Sequence, residues 1–272
     1  MASLPAARKL RWWPGRVHNS TMFQNIGEMG LLLLQTLLVL PLVWRQRQKV
    51  FEQMFEIGNA SLLMVCLLSL FIGGVLSLQT GPVLAERGLA SVIGSVVGNS
   101  MCKELAPVMM ASLLAGRIGC AMAAEIGSMR VYQEIDALRT MNINPIEYLV
   151  LPRMVALTIA MPILVLFSML VGWLGGALVA ATNPAVGLSF EGFFSGLRDN
   201  VDVWDVLNGL IKSVVFAIII GVVSCHQGLA TIGGPRGIGR SVTKAVVNSL
   251  VFILIIDYFL TRFLMYFDRF DR

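Results

Sequence analysis

Four charged side chains fall inside long apolar stretches of the sequence. Lys103 and Glu104 are adjacent in one stretch, Lys212 lies in a later one and Asp257 in the last. A charge at membrane depth is costly, so it usually faces the interior of a helix bundle or a watery cavity. Adjacent residues on a helix point about 100° apart, so Lys103 and Glu104 each need another partner or water. These residues could bind a polar group, relay a proton or hold helices together.

Lys212 and Asp257 lie at comparable depth if their two stretches are antiparallel helices with a rise of about 1.5 Å per residue. An ion pair between them is one interpretation. The alternative is that Lys212, near a helix end, extends its ammonium group to the membrane surface. Reversing both charges should restore folding that the single substitutions lose, if the pair exists.

The sequence lacks the residue patterns for nucleotide hydrolysis, nucleophilic catalysis and metal binding. No G-x-x-x-x-G-K-[ST] loop occurs, so the chain cannot hydrolyse ATP by that route, and we interpret the glycine-rich segment 233–239 as a flexible loop between spans. The two histidines, His18 and His226, are isolated, so neither a Ser-His-Asp site nor a metal site is expected. The four cysteines form no C-x-x-C pair. We therefore expect no enzyme, no metal and no cofactor in this chain.

Composition places the chain in a bilayer. Over 272 residues, 56% are hydrophobic, 14% are charged and the mean hydropathy is +0.77, values outside the range of soluble domains. The net charge of +5 does not indicate nucleic-acid binding, because the basic residues sit in short loops rather than on one solvated face with aromatic residues.

Five apolar stretches are long enough to span a membrane, which needs about 20 residues. We predict an all-α polytopic membrane protein with spans at 59–80, 89–116, 154–181, 206–228 and 243–266. The apolar run around Gly30 to Trp44 is short, so it predicts an N-terminal interfacial helix. The predicted division is a cytoplasmic segment with this helix over 1–58 and a five-span permease domain over 59–272.

Lys and Arg placement predicts the orientation, because cytoplasmic loops carry the excess of these residues. A cytoplasmic N-terminus, expected to be retained since no signal-peptide h-region follows it, leaves the C-terminus outside. The inner loops then contain Arg8, Lys9, Arg11, Arg16, Arg45, Arg47, Lys49, Arg117, Arg130, Arg139, Arg153, Arg236, Arg240 and Lys244. The outer side receives Arg87, Arg198, Arg269 and Arg272, with Arg262 near the end of the last span.

A stripe of small residues runs along the second predicted span. Ser91, Gly94, Gly98 and Cys102 recur at steps of three and four, which lets helix backbones approach closely. The stripe predicts close packing within the chain or the seam of a homodimer.

The predicted cytoplasmic loop 117–153 has the densest mixed charge between spans. Its charged residues include Glu125, Arg130, Glu134, Asp136, Arg139 and Glu147, and Pro145 and Pro152 limit any helix. Apolar residues at helical spacing, namely Met129, Ile135, Leu138 and Met141, predict a short amphipathic helix with an exposed apolar stripe. We interpret this stripe as a surface for a partner protein, the alternative being a solvated loop.

Three sequence blocks resemble the MlaE (YrbE-type) permeases of MCE-associated ABC lipid transporters. They are Phe71-Ile72-Gly73-Gly74-Val75-Leu76-Ser77-Leu78-Gln79, Lys103-Glu104-Leu105-Ala106-Pro107 through Ala124-Glu125-Ile126-Gly127-Ser128-Met129, and Leu210-Ile211-Lys212-Ser213-Val214-Val215-Phe216-Ala217. The tract 134–152 is also similar to the coupling loop of ABC importers, although Thr140 and Met141 occupy the place of its central glycine.

The resemblance implies a homodimeric inner-membrane permease that moves phospholipids between the inner and outer membranes. Its implied partners are cytoplasmic ABC ATPase subunits, which would hold ATP and Mg, a STAS-domain protein and a ring of MCE-domain subunits. The ATPase would act through Glu125, Arg130, Glu134, Asp136 and Arg139. The implied lipid contacts are Leu76, Val83, Leu84, Lys103, Glu104 and Leu105.

Two other functions remain open from the sequence. The intramembrane charges could form the proton relay of a secondary transporter, although no inverted repeat is visible. The chain could also be a scaffold that holds an MCE ring without transporting anything.

Overall fold

The computed structural model describes residues 22–184 and 186–268, and these residues form helices and turns with no strand. Five of their helical stretches are long and apolar enough to cross a membrane: Gln24–Glu86, Ala90–Val131, Ile146–Thr182, Val203–Leu229 and Gly234–Tyr266. The predicted all-α fold with five spans is confirmed. The basic N-terminal tract with His18, and Arg269 and Arg272 at the C-terminus, lie outside the described residues.

The helices, in chain order, are α1 (Met22–Val39), α2 (Arg47–Glu86), α3 (Ile93–Ser100), α4 (Ala106–Leu114), α5 (Cys120–Val131), α6 (Glu134–Thr140), α7 (Leu151–Thr182), α8 (Phe190–Asn200), α9 (Val203–Leu229) and α10 (Gly234–Asp268). π-helical segments at Met101–Leu105 and Ala115–Gly119 join α3, α4 and α5 into one span, and a third, Ile146–Val150, leads into α7. Short 3-10 turns cover Leu40–Gln46 and Ala90–Val92.

Several helices extend beyond the predicted spans. Helix α2 already begins at Arg47, so the predicted boundary at residue 58 falls inside it, and the second span continues to Val131 instead of ending at 116. Arg, Lys and Glu, the charged residues in these extensions, are good helix formers, so a rise in polarity marks the membrane edge without ending the helix. The predicted loop 117–153 is therefore mostly helix, and only residues 132–145 connect the second and third spans.

The five spans alternate in direction and give the bundle two ends. One end contains the connection 132–145 with α6 and the turn 230–233, and we call it the α6 end. The other contains residues 87–89 and 183–202, and we call it the α8 end. The orientation of these ends in a membrane stays a prediction.

Helices α2 and α7 form the closest helix pair. A Cβ on Gly73 would strike the backbone of Gly172, and one on Gly175 would strike the backbone of Leu70. In the same interface the Ser69 hydroxyl donates a hydrogen bond to Ser168, with 2.8 Å between the oxygens. Small residues at these positions allow the backbones of two membrane helices to touch, so α2 and α7 pack in direct backbone contact.

Helix α1 and the turn after it occupy the region where the sequence predicts an interfacial helix. One face of α1 buries Leu32, and Glu28 contacts His226 of α9 at 3.1 Å. The opposite face exposes Leu34 and Leu38. An apolar face that nothing in the described chain covers is consistent with membrane contact, although its depth in a membrane is untested.

Helix α8 was not predicted from the sequence. Ser189 caps it by accepting a hydrogen bond from the backbone N–H of Gly192 at 3.1 Å. Its inner face buries Phe193 and Leu197 against α3. The Ser189-x-x-Gly192 start and the apolar spacing were visible, but the segment is too short and too polar to register as a span.

Candidate functional site

The π-helical segment Met101–Leu105 contains Lys103 and Glu104. Such segments are rare and often occur at functional sites. Pro107, at the start of α4, has no N–H to donate to the carbonyl oxygen of Lys103, four residues before it. That oxygen accepts a hydrogen bond from the Lys212 ammonium group at 2.9 Å. The second span thus presents a backbone acceptor to the fourth.

Lys212 is the centre of a polar cluster between the second, fourth and fifth spans. Its Nζ lies 2.9 Å from Glu104 Oε1, 3.0 Å from Asp257 Oδ1 and 2.6 Å from Thr261 Oγ1. The Thr261 hydroxyl in turn donates to Glu104 Oε1 at 3.0 Å. Asp257 forms an ion pair with the ammonium group, but the angle between them does not suit a hydrogen bond. The structure thus brings together Lys212 and Asp257, the two residues whose pairing the sequence left open.

Lys103 points to a carboxylate that the sequence analysis did not single out. Its Nζ lies 2.9 Å from Asp205 Oδ1. Asp205 is fixed because its other carboxylate oxygen accepts the backbone N–H of Asp202 at 3.2 Å, in a capping box that starts α9. Asp205, the third residue of α9 and a member of its capping box, therefore also anchors the second span.

We define the charge cluster as Lys103, Glu104, Asp205, Lys212, Asp257 and Thr261. The side chains of Asp205 and Lys212 are 4% and 3% exposed, whereas those of Lys103 and Glu104 are 34% and 41% exposed. The cluster therefore has a buried half that locks three spans and an open half that a polar ligand, water or another chain can reach. With two cations and three carboxylates, it can bind a polar head group or hold a proton.

The other residues with implied lipid contacts are all apolar, and we call Leu76, Val83, Leu84 and Leu105 the apolar wall. Leu76, Leu84 and Leu105 are partly buried against the core, and Val83 is exposed. Leu76, Val83 and Leu84 lie in the last turns of α2, toward the α8 end, and Leu105 follows the charged pair directly. Whether they touch lipid stays a prediction.

The residues with an implied role in coupling form ion pairs around α6. Asp136 accepts hydrogen bonds from Arg130 at 3.1 Å and from Arg139 at 3.2 Å. Glu125 pairs with Arg153 at 2.7 Å and so joins α5 to α7. Glu134, at the first position of α6, is exposed. Helix α6 is therefore tied to the second span through Arg130, and the second span is tied to the third through Glu125 and Arg153.

The prediction that α6 exposes an apolar stripe is wrong. Ile135 is fully buried, and Met129 and Leu138 pack partly buried against the core. Only Met141 of the stripe is exposed, and Tyr132 is exposed beside it. The apolar spacing positions α6 on its own bundle, so a partner at this site would meet charged groups and two apolar side chains.

The small-residue stripe of the second span packs within the chain. A Cβ on Gly94 would strike the backbone of Phe193 in α8, and one on Gly98 would strike Leu197 and Val201. At the end of the stripe, a Cβ on Gly209 of α9 would strike the carbonyl oxygen of Cys102. Of the two interpretations, the structure supports intramolecular packing at these positions.

Comparison with known proteins agrees with this architecture. The sequence profile described as Permease MlaE matches residues 50–263. The chain belongs to the MlaE permease family. It is therefore a multi-pass membrane protein and the permease component of an ABC transporter, with no enzymatic site implied by its family.

Relatives in this family cover most of the chain. A probable ABC transporter permease protein of Synechocystis is 39% identical over 215 residues, which is 79% of this chain and 81% of that protein. The intermembrane phospholipid transport system permease protein MlaE of Haemophilus influenzae is 33% identical over 88% of this chain and 91% of its own length. The chloroplastic protein TRIGALACTOSYLDIACYLGLYCEROL 1 of Arabidopsis thaliana is 37% identical over 81% of this chain and 61% of its own.

In this member of the MlaE permease family, sequence reasoning missed Asp205 and Thr261. Both carried a local signal: Asp202-x-x-Asp205 fits a helix start, and Thr261 follows Asp257 by one helical turn. Neither signal identifies a partner on another helix. In the described part of the chain, no three His, Cys, Asp or Glu side chains gather in a way that could hold a metal ion.

Proposed function

We propose that this chain is the permease subunit of a complex that moves phospholipids between the inner and outer membranes. Two copies would work as a homodimer, with ATP and Mg bound and hydrolysed in separate cytoplasmic subunits. The Haemophilus relative is named as a permease of an intermembrane phospholipid transport system, which supports the cargo. The absence of a nucleotide-binding loop in this sequence supports the separate ATPase.

The open half of the charge cluster is the observation that carries this proposal. Lys103 and Glu104 are about one-third to two-fifths exposed within a membrane span. Direct contact with hydrocarbon would cost several kcal/mol for such groups, so a watery cleft or another chain must cover them. A second copy would complete a cleft with charged groups on one side and the apolar wall on the other.

Such a cleft fits a phospholipid by its chemistry. Acyl chains need apolar walls, and a head group needs a few polar partners. Leu76, Val83, Leu84 and Leu105 would line the chains, while Lys103 and Glu104 would face the head group. The buried half of the cluster would keep the spans in register while the open half exchanges partners.

Helix α6 is the proposed point of coupling. Asp136 links Arg130 on α5 with Arg139 on α6, so a push on α6 would reach the second span directly. The pair between Glu125 and Arg153 would carry the same movement to α7. Closure of the ATPase subunits would then open or squeeze the cleft.

The proposed setting is a bacterial inner membrane with the N-terminus in the cytoplasm and the C-terminus in the periplasm. The excess of Lys and Arg at the α6 end supports this orientation. A STAS-domain protein on the cytoplasmic side and an MCE-domain ring on the periplasmic side are the further partners. Reporter fusions at each terminus would test the orientation.

The deciding experiment reconstitutes the complex in vesicles and measures ATP-dependent transfer of labelled phospholipid together with ATPase activity. Asp136→Ala should uncouple ATPase activity from transfer, and Lys103→Gln should reduce transfer while ATPase assembly persists. Arg198→Gln, at an exposed position of α8, is the matched control and should leave both activities unchanged.

Two results would reject the proposal, and a third would reject only the role of α6 in coupling. Lipid transfer driven by a proton gradient without the ATPase would favour a secondary transporter that uses the charge cluster. Retention of an MCE ring without any lipid transfer would favour a scaffold. Normal coupling in Asp136→Ala and Arg139→Ala would exclude α6 as the point of contact.

A further inference from the structure

The charge cluster has one carboxylate more than it has cations. Lys103 is paired with Asp205 alone, whereas Lys212 is shared between Glu104 and Asp257. Among the residues that the structure describes, no other Lys, Arg or His lies within 4.0 Å of these three carboxylates. Two ammonium groups and three carboxylates leave one negative charge in excess when all of them are ionised.

The excess negative charge lies on the open side of the cluster. The side chain of Glu104 is 41% exposed, whereas that of Lys212 is 3% exposed. The Oε1 atom of Glu104 faces the Lys212 ammonium group and the Thr261 hydroxyl. In the described part of the chain, no hydrogen bond ends on the Oε2 atom of Glu104. This oxygen can therefore accept a hydrogen bond from a ligand in the cleft.

Two buried oxygen atoms add to the negative potential of the cluster. Asn208 lies on α9 three residues after Asp205 and four before Lys212, so it shares their face of the helix. Asn208 is 6% exposed, and its Oδ1 atom accepts no hydrogen bond from the described residues. The Oδ1 atom of Asp257 also lacks a hydrogen bond. Water-poor walls strengthen the field of such groups, so the cleft attracts positive charge.

Lys103 supplies a cation directly beside the open carboxylate. Its side chain is 34% exposed, and Asp205 is its one ion-pair partner in the described chain. An ammonium group has three N–H donors, so Lys103 keeps donors for a ligand on its exposed side. Lys103 and Glu104 are adjacent and point about 100° apart. They therefore present a cation and an anion next to each other.

We propose that the open half of the cluster selects phospholipids whose head group carries a primary ammonium group, as in phosphatidylethanolamine. The phosphate meets Lys103, and the ammonium group donates to Glu104. A head group with a net negative charge would add to the excess already present. The residues that define the cluster include no aromatic ring, the group that recognises a quaternary ammonium, so choline should bind less well. This inference rests on the proposed lipid cleft and names the class of lipid that it takes.

A second copy of the chain would bring the same excess of negative charge, because its own two ammonium groups are already paired. Its other cations on this half of the bundle, among the described residues, are Arg87, Arg198 and Arg262, and all three are exposed. Arg87 and Arg198 lie at the α8 end. Arg262 lies about 7.5 Å beyond Asp257 toward that end, at 1.5 Å per residue. Of the three, Arg262 is nearest to the depth of the cluster, so the experiment includes it.

The test compares lipids at the cleft itself, by photo-crosslinking in the purified complex in a nonionic detergent. Each probe carries a diazirine in one acyl chain, and mass spectrometry quantifies the crosslinks to residues 76–84. The head groups are ethanolamine, glycerol and N-acetylethanolamine, which has no ammonium group. We expect about fivefold more crosslinking with ethanolamine than with either of the others, the ratio that corresponds to about 1 kcal/mol for one partly exposed ion pair.

Three variants locate the source of this preference. Glu104→Gln should reduce it to less than about twofold. This variant should fold, because Lys212 keeps its second carboxylate and the new amide oxygen can still accept from Thr261. Glu191→Gln removes an exposed carboxylate in the first turn of α8 and is the matched control. That control and Arg262→Gln should both keep the preference of the original chain.

The outcomes separate this inference from the proposed function. Equal crosslinking of the three lipids in the original chain would overturn this inference and leave the lipid cleft standing. No crosslink to residues 76–84 with any lipid would overturn the lipid cleft, and this inference with it.

Three further results would assign the neutralisation of Glu104 to another source and overturn the inference. A preference that appears only in Arg262→Gln would assign it to the second copy. A preference that is lost when N-methylglucamine replaces sodium at constant ionic strength would assign it to a free metal ion. An unchanged preference in Glu104→Gln would show that Glu104 carries no free negative charge, as expected if it holds a proton.

Discussion

Replacing Lys212 by methionine should destabilise the bundle more than any other single change in the charge cluster. Lys212 is 3% exposed, and its ammonium group lies within 3.0 Å of the carboxylates of Glu104 and Asp257. Removing one partner of a buried ion pair costs about 3–5 kcal/mol, because the remaining charge stays buried without compensation. Glu104 is 41% exposed and can recover hydration, so we expect the lower limit, about 3 kcal/mol.

The assay is reversible unfolding of the purified chain in mixed detergent micelles, followed by helical circular dichroism. Arg262→Met is the matched control, because Arg262 is exposed one residue after Thr261 on the same helix. We expect that control to stay within about 0.5 kcal/mol of the original protein. A Lys212→Met variant with the same stability as the control would refute the idea that the cluster locks three spans.

A double-mutant cycle separates the partners of Lys212. Lys212→Met combined with Asp257→Asn should cost less than the sum of the single changes, with a coupling energy of about 1–2 kcal/mol. Exchanging the charges, with Lys212→Asp and Asp257→Lys, should rescue stability only in part. The carboxylate placed at position 212 would face the carbonyl oxygen of Lys103, which now accepts a hydrogen bond from the ammonium group.

Three further predictions concern contacts outside Lys212. Asp205→Ala should lower the free energy of unfolding by about 1–2 kcal/mol, because it removes one of the two hydrogen bonds of the capping box of α9 together with the partner of Lys103, and Asp205→Asn should recover part of the loss in the same unfolding assay. Gly73→Leu should abolish the folded state seen by size-exclusion chromatography, because its side chain would enter the backbone of α7, whereas Gly30→Leu at an open position of α1 should not. Glu28→Gln should weaken the attachment of α1 by about 1 kcal/mol through its contact with His226, measured as faster hydrogen exchange in α1 alone.

The membrane architecture could be predicted well from local patterns. A span needs a run of apolar residues, and a run is a property of one stretch of chain. The ends of the spans were less predictable, as α2 and α5 show, because polar residues at a membrane edge do not stop a helix. Helix α8 was missed because it packs against α3 without being apolar enough to span a membrane.

The candidate site could be predicted only in part. The depth of Lys103, Glu104, Lys212 and Asp257 showed that each charge needs compensation, and this follows from the cost of charge in hydrocarbon. The choice of partner depends on which spans are neighbours and on their rotation, which no local pattern contains. Asp205 was overlooked for that reason.

The sequence also could not predict whether an apolar helix face points toward its own bundle or toward a partner. Ile135 and Leu138 have the spacing of an amphipathic helix, which fits a helix that binds a partner and one that lies on its own bundle equally well. The structure turns this face inward. Likewise Gly94 and Gly98 predicted close packing, and the tertiary structure assigned that packing to α8 instead of a second copy.

The sequence by itself determined that the chain is an all-α membrane protein, where its spans lie and that charges stand within them, because hydrophobic length and the cost of buried charge act locally. The tertiary structure decided that Lys103 meets Asp205 and that Lys212 joins Glu104 and Asp257. Each of these pairs joins two different spans, and the residues of two of the pairs are about a hundred positions apart in the sequence. Only the packing of helices brings such atoms within 3 Å, since Coulomb attraction selects among the partners that packing has already placed together.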